Sequence, residues 1–273
     1  PMEGVQGVAG MIRSIHQSMI NTWLRCGVQF ERRYLLGDII PPGVAARRGS
    51  AGHKGADLNA RNMIEHDGQI MPLDSLQDAV RDEFVRLVKE EGVFIPQAQL
   101  SEKNAILNDN LNQAVTAMEK YHSDVAPIIK PVASELMVQA DIGLDLPIAG
   151  TIDLAEDRRI RDLKIRGKAS NSEAAATDIQ PSFYYELYRA HFGFYPDEFV
   201  YDEIIPLKTK TNYNPIPTTR DKASMARWRL YLEAFLRDLN AGIFRPADPG
   251  HFLCSKLWCG YYQTCPYKSK IAA

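Results

Sequence analysis

The 273-residue sequence has no apolar run near the roughly 18 residues that a membrane-spanning helix requires. It does not open on a secretory signal pattern either. A soluble intracellular protein is expected. There is no surplus of positive charge, since 32 Lys and Arg against 34 Asp and Glu leave a formal net charge of −2. That excludes a globally basic nucleic-acid coat and leaves such contacts to local patches. Internal repeats and low-complexity tracts are absent, which excludes a solenoid or a largely disordered chain. No G-x-x-x-x-G-K-[ST] loop occurs, so no helicase-type motor is encoded. Cysteine is scarce, at four residues.

The composition does supply a core, with 45% of residues hydrophobic. Residues 1–10 read as a loose tail, with Pro1 ahead of Met2 taken as an expression remnant. Ile20, Leu24, Val28 and Leu35 recur near the helical period and predict a helix over about 14–36, capped by Ser14 and stopped by Gly37. A Pro/Gly-rich loop then leads into a second helix near His53. Further helices are predicted at about 74–91 and 99–122.

The period then changes. Leu136, Val138, Ala140 and Ile142 alternate with Glu135, Met137, Gln139 and Asp141, as in a strand with one apolar face. GTIDLAEDRRIRDLKI supplies two more strands. QPSFYYELYRAHFG is a helix with Pro181 in its first turn. DEFVYDEIIPL is a strand, and KASMARWRLYLEAFLRDLNAG is a helix closed by Gly242. Helices, three consecutive strands, a helix, a strand and a helix predict a mixed α/β (α+β) sheet flanked by helices.

A turn at Asp157–Arg158 would set Asp153 opposite Asp162. Lys164 joins their face, because residues i and i+2 lie on one side of a strand. Two carboxylates about 5 Å apart at Cβ repel, and a shared proton or a bound cation resolves the conflict. A hard cation such as Mg²⁺ binds through one or two carboxylates. With a lysine beside it, the set suits phosphodiester hydrolysis. An isolated D…DxK is ordinarily a solvated face. Here the opposite face (Ile152, Leu154, Leu163, Ile165) is apolar, which marks the sheet as core. Arg158, Arg159, Arg161, Arg166 and Lys168 offer cationic contacts to a phosphate backbone.

In this order the motifs resemble the PD-(D/E)XK nuclease superfamily, in its RecB- and Cas4-like branch with iron–sulfur clusters. GTIDLAEDRRIRDLK resembles the family's core. Gln180 and Tyr184 of IQPSFYYELY match its Q-x-x-x-Y helix. RRGSAGH resembles the helix that contributes a histidine, here His53, and Glu135 resembles the acid on the first core strand. Asp162 stands where the family carries Glu or Asp. The resemblance implies a restriction-endonuclease-like core and one or two Mg²⁺ or Mn²⁺ ions held by His53, Asp153 and Asp162. A backbone carbonyl of Leu163 or Ile165 would add to that set, and Glu135 would lie behind it. Lys164 would orient the attacking water, and Gln180 and Tyr184 would shape the site. A single domain over 11–273 is expected, with a helical insert at about 57–125.

Cys26 and the trio Cys254, Cys259 and Cys265 can together hold Zn²⁺ or a [4Fe–4S] cluster, since both accept four thiolates. The trio is spaced C-x4-C-x5-C where the family has C-x2-C-x5-C, and the resemblance implies the cluster. Such a cross-link would restrain the unfolded chain by about 4–5 kcal/mol on a disulfide-type estimate. Trp258, Tyr261, Tyr262 and Tyr267 would shield the cluster, and some are candidates to stack on bases.

The implied activity is a metal-dependent exonuclease on single-stranded DNA or DNA ends. It would serve recombination, repair or CRISPR spacer processing in the cytoplasm of a bacterial or phage-infected cell, beside recombination or CRISPR adaptation proteins. A non-catalytic iron–sulfur nucleic-acid-binding module is the alternative, and an iron–sulfur electron carrier leaves the hairpin acids without a role. Oligomeric state is left open.

Overall fold

The computed structural model describes residues 12–268. The tail read at residues 1–10 and the expected domain bounds at 11 and 273 lie outside the described residues. Five strands, β1 (Ala133–Ala140), β2 (Ile148–Glu156), β3 (Arg159–Ile165), β4 (Glu198–Pro206) and β5 (Thr211–Thr218), lie in sequence order across one sheet. β3 and β4 run parallel and the other neighbours antiparallel. The parallel pair needs a crossover, which α6 (Ser172–Thr177) and α7 (Gln180–Phe192) provide. This mixed sheet with helices on both faces is consistent with a restriction-endonuclease-like core.

One apolar layer joins α1 (Gln17–Arg25), α7 and α8 (Lys222–Ala241) to the sheet through Ile20, Phe183, Leu187, Phe235 and Ile152. The other joins α3 (Val44–Glu65), α4 (Leu73–Glu90) and α5 (Lys103–Lys120) through Ala51, Leu76, Phe84, Met118 and Ile165. The segment 57–125, expected as an insert, therefore builds this second layer of the core. Among the described residues no helix is long and apolar enough to cross a membrane.

The helix predicted over 14–36 is broken at Cys26, which is extended at φ −165° and ψ 108°. Its N-terminal flank is His16, not Ser14. α2 (Gly27–Phe30) and a π turn (Glu31–Leu35) continue beyond the break. The cause is a close backbone approach: Gly27 N–H donates to the Arg245 carbonyl at 2.7 Å, and a Cβ on Gly27 would lie 2.7 Å from Arg245 N. Only glycine admits that contact, and the break turns the chain at Cys26.

β5 was not predicted. It is an edge strand carrying Pro215 and Pro217, both exposed. Proline cannot donate to a ladder and is tolerated at such an edge.

Candidate active site

The hairpin pairs Leu154 with Arg161, Ala155 with Ile160 and Glu156 with Arg159. That register would bring Asp153 opposite Asp162, but the ladder ends one step before them. β2 also changes face here. Ile152 packs in the layer with α7, whereas Leu154, Leu163 and Ile165 pack in the layer with α3. These four residues therefore do not share one face, as alternation alone had suggested. Across from Asp153 on β1, Glu135 has φ +46°. A non-glycine residue in the left-handed region is strained, and such strain gathers at functional sites.

Helix α3 delivers the histidine. Gly52 lets it ride close on β3, since a Cβ there would lie 2.2 Å from Ile165 Cδ1. Arg48 Nη2 donates to the Ile165 carbonyl at 3.3 Å and fixes the helix to the strand end. His53 Nδ1 then lies 3.2 Å from Asp153 Oδ2. His53, Glu135 and Asp153 each place a ligand atom within 4.8 Å of the others. Glu135, expected behind the ligand set, thus lies within reach of a cation shared with His53 and Asp153.

Asp162 is buried, at 2% exposure. Its Oδ2 accepts from Lys164 Nζ at 2.7 Å and from Gln180 Nε2 at 2.9 Å. Its Oδ1 is buried without a hydrogen-bond partner. An unpartnered buried carboxylate oxygen is costly, and a cation ligated there would relieve the cost. The hard oxygen donors with one imidazole suit Mg²⁺ or Mn²⁺. Tyr184 packs against Phe183 and Phe199 beside the acids.

The charges are strongly coupled. Burial lowers His53, but the charge and hydrogen bond of Asp153 outweigh it, and the imidazole pKa rises. Burial pushes both aspartates up. At Asp153 the His53 charge and hydrogen bond reverse this and hold the carboxyl below its usual range. At Asp162 burial outweighs Lys164, and neighbouring Asp153 adds to it, so the pKa rises to about 7. Burial lowers Lys164, but Asp162 and Asp153 raise it further, so it remains an ammonium. Burial and then Asp153 raise Glu135.

The expected strip of phosphate-binding cations is largely committed elsewhere. Arg161 is buried, with Nε on Glu156 at 3.1 Å and Nη1 on Asp202 at 2.9 Å. Arg158 pairs with Asp197, Arg159 with Glu198 and Glu156, and Arg166 with Glu203. Lys168 is exposed. The Glu156–Arg161–Asp202 group, to which Tyr213 donates through its hydroxyl at 2.7 Å, was not anticipated. Alternation from Leu163 would have shown that Arg161 points inward.

The four cysteines line one cavity, with Arg25 and Gln29 beside them. Gln29 Nε2 donates to Cys259 Sγ at 3.1 Å. Arg32 donates to Thr264 Oγ1 at 2.8 Å and lies over the Tyr261 ring at 4.9 Å, so side-chain contacts clasp the first helices to the last segment.

The family model of the PD-(D/E)XK nuclease superfamily matches residues 14–269. The chain belongs to that superfamily. PD-(D/E)XK nucleases generally use divalent metals, and this member's acids and histidine form a candidate site for one. No curated protein matches the chain. A crystal structure named "putative exonuclease", from Eubacterium rectale, superposes with a TM-score of 0.61 at 11% identity, covering 99% of this chain and 94% of that one. That likeness shows the fold alone. A second crystal structure, SSO0001, gives a TM-score of 0.35 at 15% identity over 78% of this chain and 96% of that one. At that score it carries no argument.

For this PD-(D/E)XK chain, a cation taken up by His53 and Asp162, whose pKa values are raised, would displace protons from them. The affinity for Mn²⁺ is expected to climb between about pH 6 and about pH 8. Isothermal titration in two buffers of different ionisation enthalpy measures the proton release directly.

Proposed function

We propose that this nuclease is a metal-dependent deoxyribonuclease that hydrolyses phosphodiesters of single-stranded DNA or DNA ends as an exonuclease. The observation that carries the reading is the Asp162 carboxylate. One oxygen is tied to Lys164 and Gln180, and the other is buried without a partner beside Asp153 and His53. His53, Asp153, Asp162 and Glu135 would hold Mg²⁺ or Mn²⁺. Such an ion supplies Lewis acidity for the scissile phosphate and lowers the pKa of water.

The protein's own groups do the rest. Gln180 fixes the Asp162 rotamer from α7 through one amide hydrogen bond. Lys164 keeps its proton, so it acts as a charge that holds an anionic oxygen or a water lone pair, not as a base. Tyr184 keeps its proton as well, because burial and the nearby carboxylates Asp153 and Asp162 oppose its ionisation. It can therefore donate to a phosphate oxygen. The half-buried His53–Asp153 pair admits solvent, so a water can reach the site.

Digestion of end-labelled single- and double-stranded DNA with Mn²⁺, with and without chelator, tests the reading. Metal-dependent loss of terminal nucleotides supports it. Intact DNA under all conditions would favour a non-catalytic binding module.

The convergence of Cys26, Cys254, Cys259 and Cys265 on one cavity supports a [4Fe–4S] cluster as the second inorganic group. It would brace the two ends of the chain. Cys259→Ala is then expected to lose iron and to lower the melting temperature of anaerobically purified protein. Full iron content with an unchanged melting temperature would refute the brace.

A further inference from the structure

A groove apart from the candidate active site runs between the start of α3, the loop around Phe94 and the cysteine-bearing segment. Its walls are mostly apolar, with Val44, Phe94, Ile106 and Leu257 among them, and exposed Arg25 and Trp258 line it too. We propose that this groove binds unpaired DNA, with bases stacked on Trp258 and Phe252, and leads the strand toward the candidate active site. The proposal rests on the nuclease reading for the destination of the strand, but not for the binding itself.

Three observations carry it. The first is aromatic surface. Trp258 is 58% exposed and Phe252 63% exposed. Their rings meet edge to face at 6.1 Å, and His251 stacks on Phe252 at 4.9 Å. Such rings cost free energy in water and gain it under a base, whatever its sequence.

The second is charge. From Pro249 to Lys268 the chain has no Asp or Glu but carries His251, Lys256 and Lys268, within a protein of net charge −2. Exposed Arg25 faces the same groove. Of these cations only Arg25 lines the groove itself, whose lining holds no carboxylate, and that balance suits a polyanion.

The third is continuity. Val44 lines the groove, and His53 lies nine residues further along α3. At about 1.5 Å per residue and 3.6 residues per turn this is roughly 14 Å along the axis and two and a half turns, so Val44 and His53 lie on opposite sides of α3. A strand leaving the groove would pass around this helix, over a path longer than the roughly four stacked nucleotides of the axial distance.

The sequence contains its own reporter. Of three tryptophans, Trp23 and Trp228 are 7% and 3% exposed, so Trp258 dominates the quenchable emission. Oligo-dT added in EDTA is expected to quench that component. Trp258→Ala should weaken anisotropy-measured binding of labelled oligo-dT by about five-fold to a hundred-fold, the range for one lost base stack. Trp258→Phe should keep most of the affinity while abolishing the signal, and both variants should melt like the parent because the ring is exposed. Unchanged affinity in both Trp258→Ala and Phe252→Ala would overturn the proposal. So would quenching by an uncharged apolar peptide but not by oligo-dT, which would assign the groove to a protein partner. A parent that cleaves DNA while Trp258→Ala and Phe252→Ala both bind normally removes the groove alone. A parent that cleaves nothing while Trp258→Ala loses binding removes the nuclease reading alone.

Discussion

Asp153→Asn is expected to lower DNA cleavage on the order of a thousand-fold while leaving the protein as stable as the parent or more so. The loss follows from charge. Asp153 stands between His53 at 3.2 Å and Asp162, within the group of donors that could take a cation. A neutral amide there removes much of the attraction for a divalent ion, an effect of several kcal/mol on the barrier. Stability follows the opposite logic. Asn still accepts from His53, and it ends the repulsion that raises Asp162. Sites assembled for chemistry commonly gain stability when disarmed. Lys164→Ala should cost about a hundred-fold or more in rate, and added Mn²⁺ should not restore it. Initial-rate assays at saturating Mn²⁺, alongside thermal melts, check both variants. Parent-like cleavage by either would dismantle the assignment.

Asp202→Ala is expected to destabilise the fold by about 3–5 kcal/mol. Arg161 and Asp202 are 7% and 2% exposed and share two hydrogen bonds, at 2.9 and 3.0 Å. Removing one partner of a buried pair strands the other charge, which is why the cost exceeds that of a surface bridge. Glu156 still accepts from Arg161 and sets a ceiling on the loss. Asp202→Asn, which retains an acceptor, should cost less. Urea unfolding of the three proteins ranks them. Equal midpoints would mean that water satisfies Arg161 without its partner.

Much of this was legible from residue order. Alternation and the Asp157–Arg158 turn give the β2–β3 register, and the glycines at 193 and 242 mark the ends of α7 and α8, each in a left-handed conformation. What escaped has identifiable causes. β5 escaped because Pro215 and Pro217 break the usual strand signal. The break at Cys26 escaped because it answers a contact with Arg245, more than two hundred positions away. The arginines looked available because their acids, Asp197, Glu198, Asp202 and Glu203, lie on or beside a strand whose parallel pairing with β3 is set by a crossover. Charge counted along a segment does not show which charges folding will neutralise. Glu135 was legible as the acid of the first core strand, but its left-handed backbone angle, φ +46°, was not.

The clasp between Gln29 and Cys259 spans 230 residues. During synthesis the niche around Cys26 therefore stays incomplete until Cys254, Cys259 and Cys265 have left the ribosome. The proposed cluster would then be inserted only into chains extended past Cys265, and a product clipped before that point could not assemble its niche.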